Sequence, residues 1–467
     1  MALAAAGIWC FIPLHCQQWA TAMLERSKSA DLVLELNFAT ISSTSPRGQF
    51  MKDVLDNHTS RIRELSLRGF SSSTLSTLLH DIRPSSFRLR SLQLIGGYND
   101  APSFPIDIVA NSERLLDLDV EKCGIAWFSM PLTGLTSLKM DSNPTRPLWS
   151  EFIKALGAMP SLAILEMRHS LPLADELYRR TSNPIRLTKL RRLDLDCSAV
   201  VEILNLLSYI AVPQVTSIKI FSGTLLRNTS LPMLSDFAAL LSAFISEMIS
   251  EDSHPMFYEG LNAILPDSHN LSLLNFTAWR TGCKSDRTWR TSPPDLDFTI
   301  FGLPCSPEKL LHQFTKRLPL SRLKSLTLTG NACKDVLLAC FGDLHQLLSV
   351  ILIGVVTRGF LQMLMVDGKG RDQKSYYKVT CPALQSLKIR HVVFHLNHED
   401  GLSFEELQDC LMERCNRNVG LSRVILAACV NLYDEDVDLL REIVVDVNWG
   451  EEYNPEDEDD AEMYSSD

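Results

Sequence analysis

The sequence predicts an α/β fold: a curved solenoid with a parallel sheet on its concave side and helices on its convex side. Three observations point there. A short apolar motif recurs along the whole chain at steps near 26 residues, and between its copies the apolar period changes from that of a strand to that of a helix. The composition is that of an ordinary globular chain. Its 467 residues are 45% hydrophobic and 22% charged, with 21 Gly and 22 Pro, which excludes a collagen, a disordered polyampholyte and a disulfide-stapled miniprotein.

Taken in order, the chain opens on MALAAAGIWCFIPLHCQQWATA, which loosely imitates a secretory signal ending at Ala20-Thr21-Ala22. No Lys or Arg precedes Glu25, and Trp9, Pro13, His15, Gln17 and Gln18 interrupt the apolar core a signal requires. Residues 1–30 are therefore read as a linker or cap, and residues 31–447 as the solenoid. Asp31-Leu-Val-Leu-Glu-Leu-Asn-Phe38 alternates as its first strand should.

The motif itself, apolar-x-x-apolar-x-apolar, follows at Ile62/Leu65/Leu67, Leu89/Leu92/Leu94, Leu115/Leu118/Val120, Leu135/Leu138/Met140, Leu162/Leu165/Met167, Leu190/Leu193/Leu195 and Val215/Ile218/Ile220. It resumes at Leu271/Leu274/Phe276, Leu323/Leu326/Leu328, Leu347/Val350/Leu352, Leu384/Leu387/Ile389 and Leu421/Val424/Leu426. Successive starts differ by 27, 26, 20, 27, 28, 25, 56, 52, 24, 37 and 37 residues. The two long gaps are close to two periods. Leu296-Asp-Phe298-Thr-Ile300 fills the second, while Leu231 to Ser250 reads as a helix in the first, whose strand the pattern does not place.

This is the leucine-rich-repeat signature, L-x-x-L-x-L-x-x-N/C. Alternate side chains point inward and stack in a ladder, and the ninth residue turns the chain off the sheet, where Asn or a buried thiol can hydrogen-bond exposed backbone. Cys123, Asn143, Asn331 and Cys429 occupy that place; Ser170, Ser198 and Gly223 occupy it in degenerate coils. Between strands, Pro147 to Gly157 has Pro in the first helical turn, an apolar face of Leu148, Phe152, Ile153 and Leu156, and a terminating Gly. Ala199 to Tyr209 and Cys333 to Phe341 read likewise. Asp367 to Lys378 is an inserted surface loop that lengthens one step.

Charge closes the chain. Residues 451–467 carry nine acids and no base, and 433–450 add six acids against Arg441, giving -14 for 433–467. The formal total is -11, which leaves +3 for the rest. Residues 448–467 are read as a solvated, disordered acidic tail. A nearly neutral body without a basic stripe excludes nucleic acid as a principal ligand. The longest apolar run, Leu347 to Val356, holds Ser349 and falls short of the ~18 residues of a membrane span. The 12 cysteines contain no C-x-x-C, and pairs such as Cys333/Cys340 and Cys410/Cys415 match neither a zinc ribbon nor a redox dithiol, so reduced thiols in the cytoplasm or nucleus are expected.

Two segments carry a family resemblance. Ile8-Trp9-Cys10-Phe11-Ile12 followed by Gln18 to Leu32 resembles the segment that joins the F-box to the first strand in fungal, basidiomycete-type F-box proteins with degenerate leucine-rich repeats. Leu407 to Arg414, leading through Asp436-Val437-Asp438 to Glu442 to Trp449, resembles that family's C-terminal coils. The resemblance implies a substrate receptor of a cullin-type ubiquitin ligase, in which the F-box docks on an adaptor subunit and the repeats hold a target. Only eight residues precede Trp9. The F-box itself is thus expected to be missing or truncated, and adaptor binding to require an upstream F-box.

No catalytic motif stands out. G-x-S-x-G is absent, and Gly368-Lys369-Gly370-Arg371 lacks the P-loop pattern. His391, His395 and His398 with Glu399 form the one dense metal-capable cluster, but without the H-E-x-x-H helix spacing, so no cofactor is expected. The expected function is a non-enzymatic protein-interaction scaffold. A secreted or surface repeat glycoprotein, using sequons at Asn57, Asn228, Asn270 and Asn275, is the alternative, and a metal-dependent enzyme built on the three histidines the third reading. The expected partner face comprises the outward residues of four coils: Asp117, Asp119 and Glu121; Lys139 and Asp141 beside Ser137; Glu166 and Arg168 beside Ile164; and Arg192, Asp194 and Asp196. Seven acids against three bases point to a protein target with a basic contacting surface.

Overall fold

A computed structural model describes residues 6–38, 45–79, 88–97, 114–124, 132–173, 184–197, 199–213, 216–222, 244, 257–265, 274–280, 294–300, 311–312, 314–316, 318–365, 379–394 and 402–450. The chain divides into two compact units, Met1–Gly223 with Ala243–Ser253, and Thr224–Ser242 with His254–Asp467. Each is mixed α/β, a mostly parallel sheet with helices in the connections.

The strands of the first unit are β1 (Phe11–Ile12), β2 (Leu32–Asn37), β3 (Ile62–Phe70), β4 (Ser91–Gly96), β5 (Asp117–Glu121), β6 (Ser137–Asp141), β7 (Ile164–Arg168), β8 (Ile185–Arg186), β9 (Arg192–Cys197), β10 (Ile210–Ala211) and β11 (Ser217–Ser222). β8 and β10 pair with each other. The rest run parallel in the order β1-β2-β3-β4-β5-β6-β7-β9-β11. Helices Pro46–His58, Ser72–Leu79 and Trp149–Gly157 occupy three of the crossovers, the connections that parallel neighbours require, and Val200–Tyr209 follows β9. Motif residues supply the core. Leu92/Leu94, Leu118/Val120, Leu138/Met140, Leu165/Met167 and Leu193/Leu195 are buried within their strands. The first motif residue of each copy (Leu89, Leu115, Leu135, Leu162, Leu190) lies two positions ahead of its strand and is buried as well. Each such side chain contributes roughly 1.5–3 kcal/mol by leaving water.

Main-chain groups fix both ends of these strands. At the start, one carbonyl accepts two successive N–H groups from the next coil: Leu116 O from Thr136 and Ser137, Thr136 O from Ala163 and Ile164, Ala163 O from Arg191 and Arg192. At the end, the eighth motif residue turns into the left-handed region at Lys122, Ser142 and His169, with φ of 52°, 50° and 47°. Its N–H then reaches the strand end of the next coil, Asp141 O, Arg168 O and Asp196 O respectively, at 2.6–2.9 Å. Glycine would adopt this conformation freely, yet these coils use Lys, Ser and His, so the inter-coil bond holds a locally costly backbone in place. The ninth position behaves as the motif requires: Cys123 is buried, and Asn143 donates its N–H to Ser170 Oγ at 3.0 Å while its Oδ1 accepts from Thr145.

At the N-terminal edge, β1 precedes the strand expected to be first and pairs Phe11 with Val33 and Ile12 with Leu34. Ile12 and Leu14 are buried, and helix Gln17–Ser27 follows. Arg61 ties that helix down by donating to Ala30 O and Ser27 Oγ. One expectation fails in the helix at 149. Leu148 is its N-cap residue and is 60% exposed, because the helix begins one residue later than the apolar spacing implied; Phe152 and Leu156 alone are fully buried.

The second unit contains β12 (Gly260–Ile264), β13 (Leu274–Trp279), β14 (Leu296–Ile300), β15 (Ser325–Thr329), β16 (Ser349–Ile353), β17 (Ser386–Arg390), β18 (Arg423–Ala427) and β19 (Asp446–Trp449), in the order β14-β13-β12-β15-β16-β17-β18-β19. From β12 through β15 to β19 neighbours are parallel, and helices Lys334–Phe341, Val356–Leu364, Phe404–Asn416 and Asp434–Ile443 link β15 to β19 and pack on one another in sequence. β13 and β14 depart from the all-parallel expectation: β13 is antiparallel to both β12 and β14. Period-two alternation marks the buried face and not the strand direction, and antiparallel neighbours need no crossover. The helix expected over Leu231 to Ser250 and the loop Asp367 to Lys378 lie outside the described residues, apart from Phe244, which is helical and buried; of the tail expected over 448–467, Asn448 and Trp449 instead complete β19 by pairing with β18, and the residues beyond Gly450 lie outside the described residues.

Candidate functional site

The ten residues predicted as a partner face all lie in the first unit, on β5, β6, β7 and β9, and strand register brings them together in three rows. The middle row is Asp119–Lys139–Glu166–Asp194; the upper is Glu121–Asp141–Arg168–Asp196; the lower is Asp117–Ser137–Ile164–Arg192. β3 and β4 extend the rows with Ser66 and Gln93 in the middle and Glu64 and Ser91 below.

The acids are not equivalent. Glu166 is 7% and Asp194 2% exposed, although alternation puts both on the outward face. Long basic side chains lie over them: Arg192 Nε is 3.4 Å from Glu166 Oε1, Arg192 Nη2 is 3.3 Å and Arg168 Nη2 3.9 Å from Asp194 Oδ2, and Lys139 Nζ is 3.6 Å from Glu166 Oε1. The ten positions are therefore not equally open. On β7 and β9 the carboxylates are roofed and neutralised, since Arg and Lys stems cover surface while their heads pair. Asp196 faces His169 Nε2 at 3.8 Å; burial pushes its carboxyl up, with His169 and Arg168 pulling the other way.

Toward β3 the face opens. Gln93 donates to Asp119 Oδ2 at 2.8 Å and accepts from Ser66 Oγ and Arg68, which also pairs with Glu35 at 3.3 Å. Glu121 pairs with Lys122 at 3.0 Å, and Asp141 accepts from Ser142 Oγ. Asp117 and Glu64 are exposed, and neither carboxylate has a hydrogen bond or ion pair among the described residues. Partial burial pushes the Asp117 carboxyl up, opposed by Lys139. A groove of about 420 Å³ runs over this part of the face, lined by Phe11, Val33, Glu35, Glu64, Ser66, Ser91, Gln93, Asp117, Asp119, Ser137, Lys139 and Ile164. Serines at Ser66, Ser91 and Ser137 keep its floor low. Sequence reading missed Glu64, the serine floor and Phe11; extending the outward positions one coil N-terminal of Asp117 and one beyond that would have found the first two.

Of the histidine cluster, His391 is described and His395, His398 and Glu399 are not. His391 is the left-handed turn residue after β17, φ 53°, and donates its N–H to Ala427 O, so its place in the motif accounts for it structurally. Among the described residues no group of three or more His, Cys, Asp or Glu side chains could hold a metal ion, no helix is long and apolar enough to cross a membrane, and no disulfide joins cysteines. At the sequon Asn275, Nδ2, the atom a glycan would need, donates to Thr299 Oγ1 at 2.6 Å.

No protein-family model matches the chain, and a search of curated proteins finds no match to it.

Proposed function

We propose that the chain is a non-enzymatic protein-recognition scaffold, a curved leucine-rich-repeat-like solenoid that holds a partner on its strand face and resembles the substrate-recognition part of an F-box ubiquitin-ligase receptor. The supporting observation is a division of labour within each strand. Inward residues and main-chain bonds at both ends carry the fold, so outward residues in register form a surface whose chemistry is free to match a partner. In the first unit that surface combines a groove, exposed carboxylates and an exposed aromatic ring. Its association should be steered by charge and weaken with salt, over a Debye length of ~8 Å at physiological ionic strength. Adaptor docking is assigned to an F-box module and not to the strand face.

A photo-crosslinking residue at Gln93, on the outward face, should capture a discrete partner in extracts of the native host, and one at the exposed helical Lys154 should not. Capture from Lys154 alone would refute the assignment.

A further inference from the structure

The lower row of the face begins with Phe11 and runs in register through Val33, Glu64 and Ser91 to Asp117. We propose that this row seats an extended basic segment of the partner, with the pattern apolar-x-x-cation-x-x-cation, in a polyproline-type conformation. The apolar side chain lies on Phe11 and the two cations meet Glu64 and Asp117. The inference rests on the recognition-scaffold reading and names the chemistry of its ligand.

Spacing carries the argument. Adjacent strands are ~4.8 Å apart, and one strand separates Phe11 from Glu64 and another separates Glu64 from Asp117, so each step spans about 9.6 Å. A polyproline helix rises ~3.1 Å per residue with three residues per turn, which brings residues i and i+3 to one face at about 9.3 Å. A β-strand offers same-face residues at about 6.8 Å or 13.6 Å, and fits neither step.

Charge complementarity selects cations. Glu64 and Asp117 are the two outward carboxylates of the groove with no hydrogen bond or ion pair among the described residues, Lys139 acting on Asp117 only through its longer-range charge, whereas Glu35 is paired with Arg68 and Asp119 accepts from Gln93. Lys139, the base lining the groove, leans toward Glu166. Asp117 is already partly shielded from water, and a cation placed there is screened less than on open surface. The low floor at Ser91 admits a backbone between the two acids. Phe11, 55% exposed at the row's end, offers a ring on which an apolar side chain can be buried.

The test uses two fluorescein-labelled heptapeptides of one composition and the full chain, read by anisotropy at low salt. Leu-Pro-Pro-Arg-Pro-Pro-Arg has the proposed spacing and Leu-Pro-Arg-Pro-Arg-Pro-Pro does not. The first should bind at least about fivefold tighter. Glu64→Gln and Asp117→Asn should each weaken it about threefold, in the range expected of exposed pairs, and lower its salt dependence. Phe11→Ala should weaken it too, whereas Glu151→Gln on the helix after β6 should not. Equal binding of the two peptides, or indifference to the Glu64→Gln/Asp117→Asn double variant, would overturn the proposal. A partner cross-linked at Gln93 and held equally well by that double variant would overturn the groove and leave the scaffold reading standing. Spacing-selective peptide binding without any capture at Gln93 would support the groove and count against the scaffold reading alone.

Discussion

Arg414 offers the sharpest test of how the second unit is held together. It lies in helix Phe404–Asn416, is 1% exposed, and donates from Nη1 to Thr380 O and from Nη2 to Cys381 O, both at 3.0 Å. The guanidinium thus pins the helix to the turn before β17, where Cys381 sits at φ 44°. Nε has no hydrogen-bond partner, and burial lowers the pKa of the group. Replacing it by Met keeps most of the hydrocarbon. The cost of burying a charge and the gain from two charge-assisted bonds vanish together, each of several kcal/mol, and approximately cancel. Thr380 O then remains without a donor among the described residues at ~1–3 kcal/mol, whereas Cys381 O keeps the Leu384 N–H at 3.2 Å, so the net loss should be about 1–3 kcal/mol. Ala should cost ~2 kcal/mol more through the cavity. Thiol labelling in mild urea reads this locally, because Cys381 and Cys410 beside Arg414 are fully buried. At a factor of ten per 1.4 kcal/mol, Arg414→Met should speed their labelling roughly 5- to 140-fold. Thiolate chemistry cannot mimic the effect. Burial has pushed both thiols up to about 12, with Arg414 pulling down, and its loss makes thiolate rarer. An Arg414→Met protein labelled at the parent rate, with an unchanged urea midpoint, would refute the reasoning.

Three further outcomes are expected. Gly330→Ala should lower the unfolding midpoint by more than any other change here, since a Cβ at Gly330 would lie 1.9 Å from Leu265 O on a backbone at φ +99°; a parental melt would show that the approach of β15 to β12 is loose. Asp194→Lys should cost ~2 kcal/mol in urea unfolding, below the ~3–5 kcal/mol of a fully buried pair because Arg168 and Arg192 are half-exposed, whereas Asp119→Lys should cost little. Equal losses would show that the roof over Asp194 carries no weight. Burial raises the Glu202 carboxyl above its usual value despite Arg146 at 2.6 Å, so the folded state holds the proton more tightly than the unfolded state. That stabilisation is complete below the unfolded pKa of ~4.5 and disappears as pH rises through the folded value. Glu202→Gln should therefore gain on the parent between pH 4 and 7, and a constant difference across that range would contradict the assignment.

Strand positions were the most legible feature, and the reason is burial. Every copy of the motif falls on a strand because aliphatic residues at fixed spacing have one way to leave water together. The strand that the pattern could not place, β12, follows the same rule with Tyr258, Leu261 and Ala263, and β19 follows it with Val444, Val447 and Trp449; a search for leucine passes over both. Direction was not legible, as β13 shows, because alternation is the same read either way. Nor were the left-handed turns at Lys122, Ser142, His169 and His391, where no glycine announces them and the conformation is imposed by bonds to the next coil. Which residues share a face was legible, but not which of them are open to solvent. Whether Asp194 is open or roofed depends on Arg168 and Arg192, and on the rotamers they adopt across strands.

The paired main-chain clamps also bear on how such a chain can be edited. Motif steps include one of 20 residues, between Leu115 and Leu135, and one of 37, between Leu347 and Leu384, yet β5 meets β6 and β16 meets β17 residue for residue. Register is set where each strand begins and ends, and the length of peptide returning between them is left unspecified. A reporter sequence spliced between Met365 and Val379 should therefore leave the rows of the second unit aligned, and new return segments could be grafted there without redesigning the sheet.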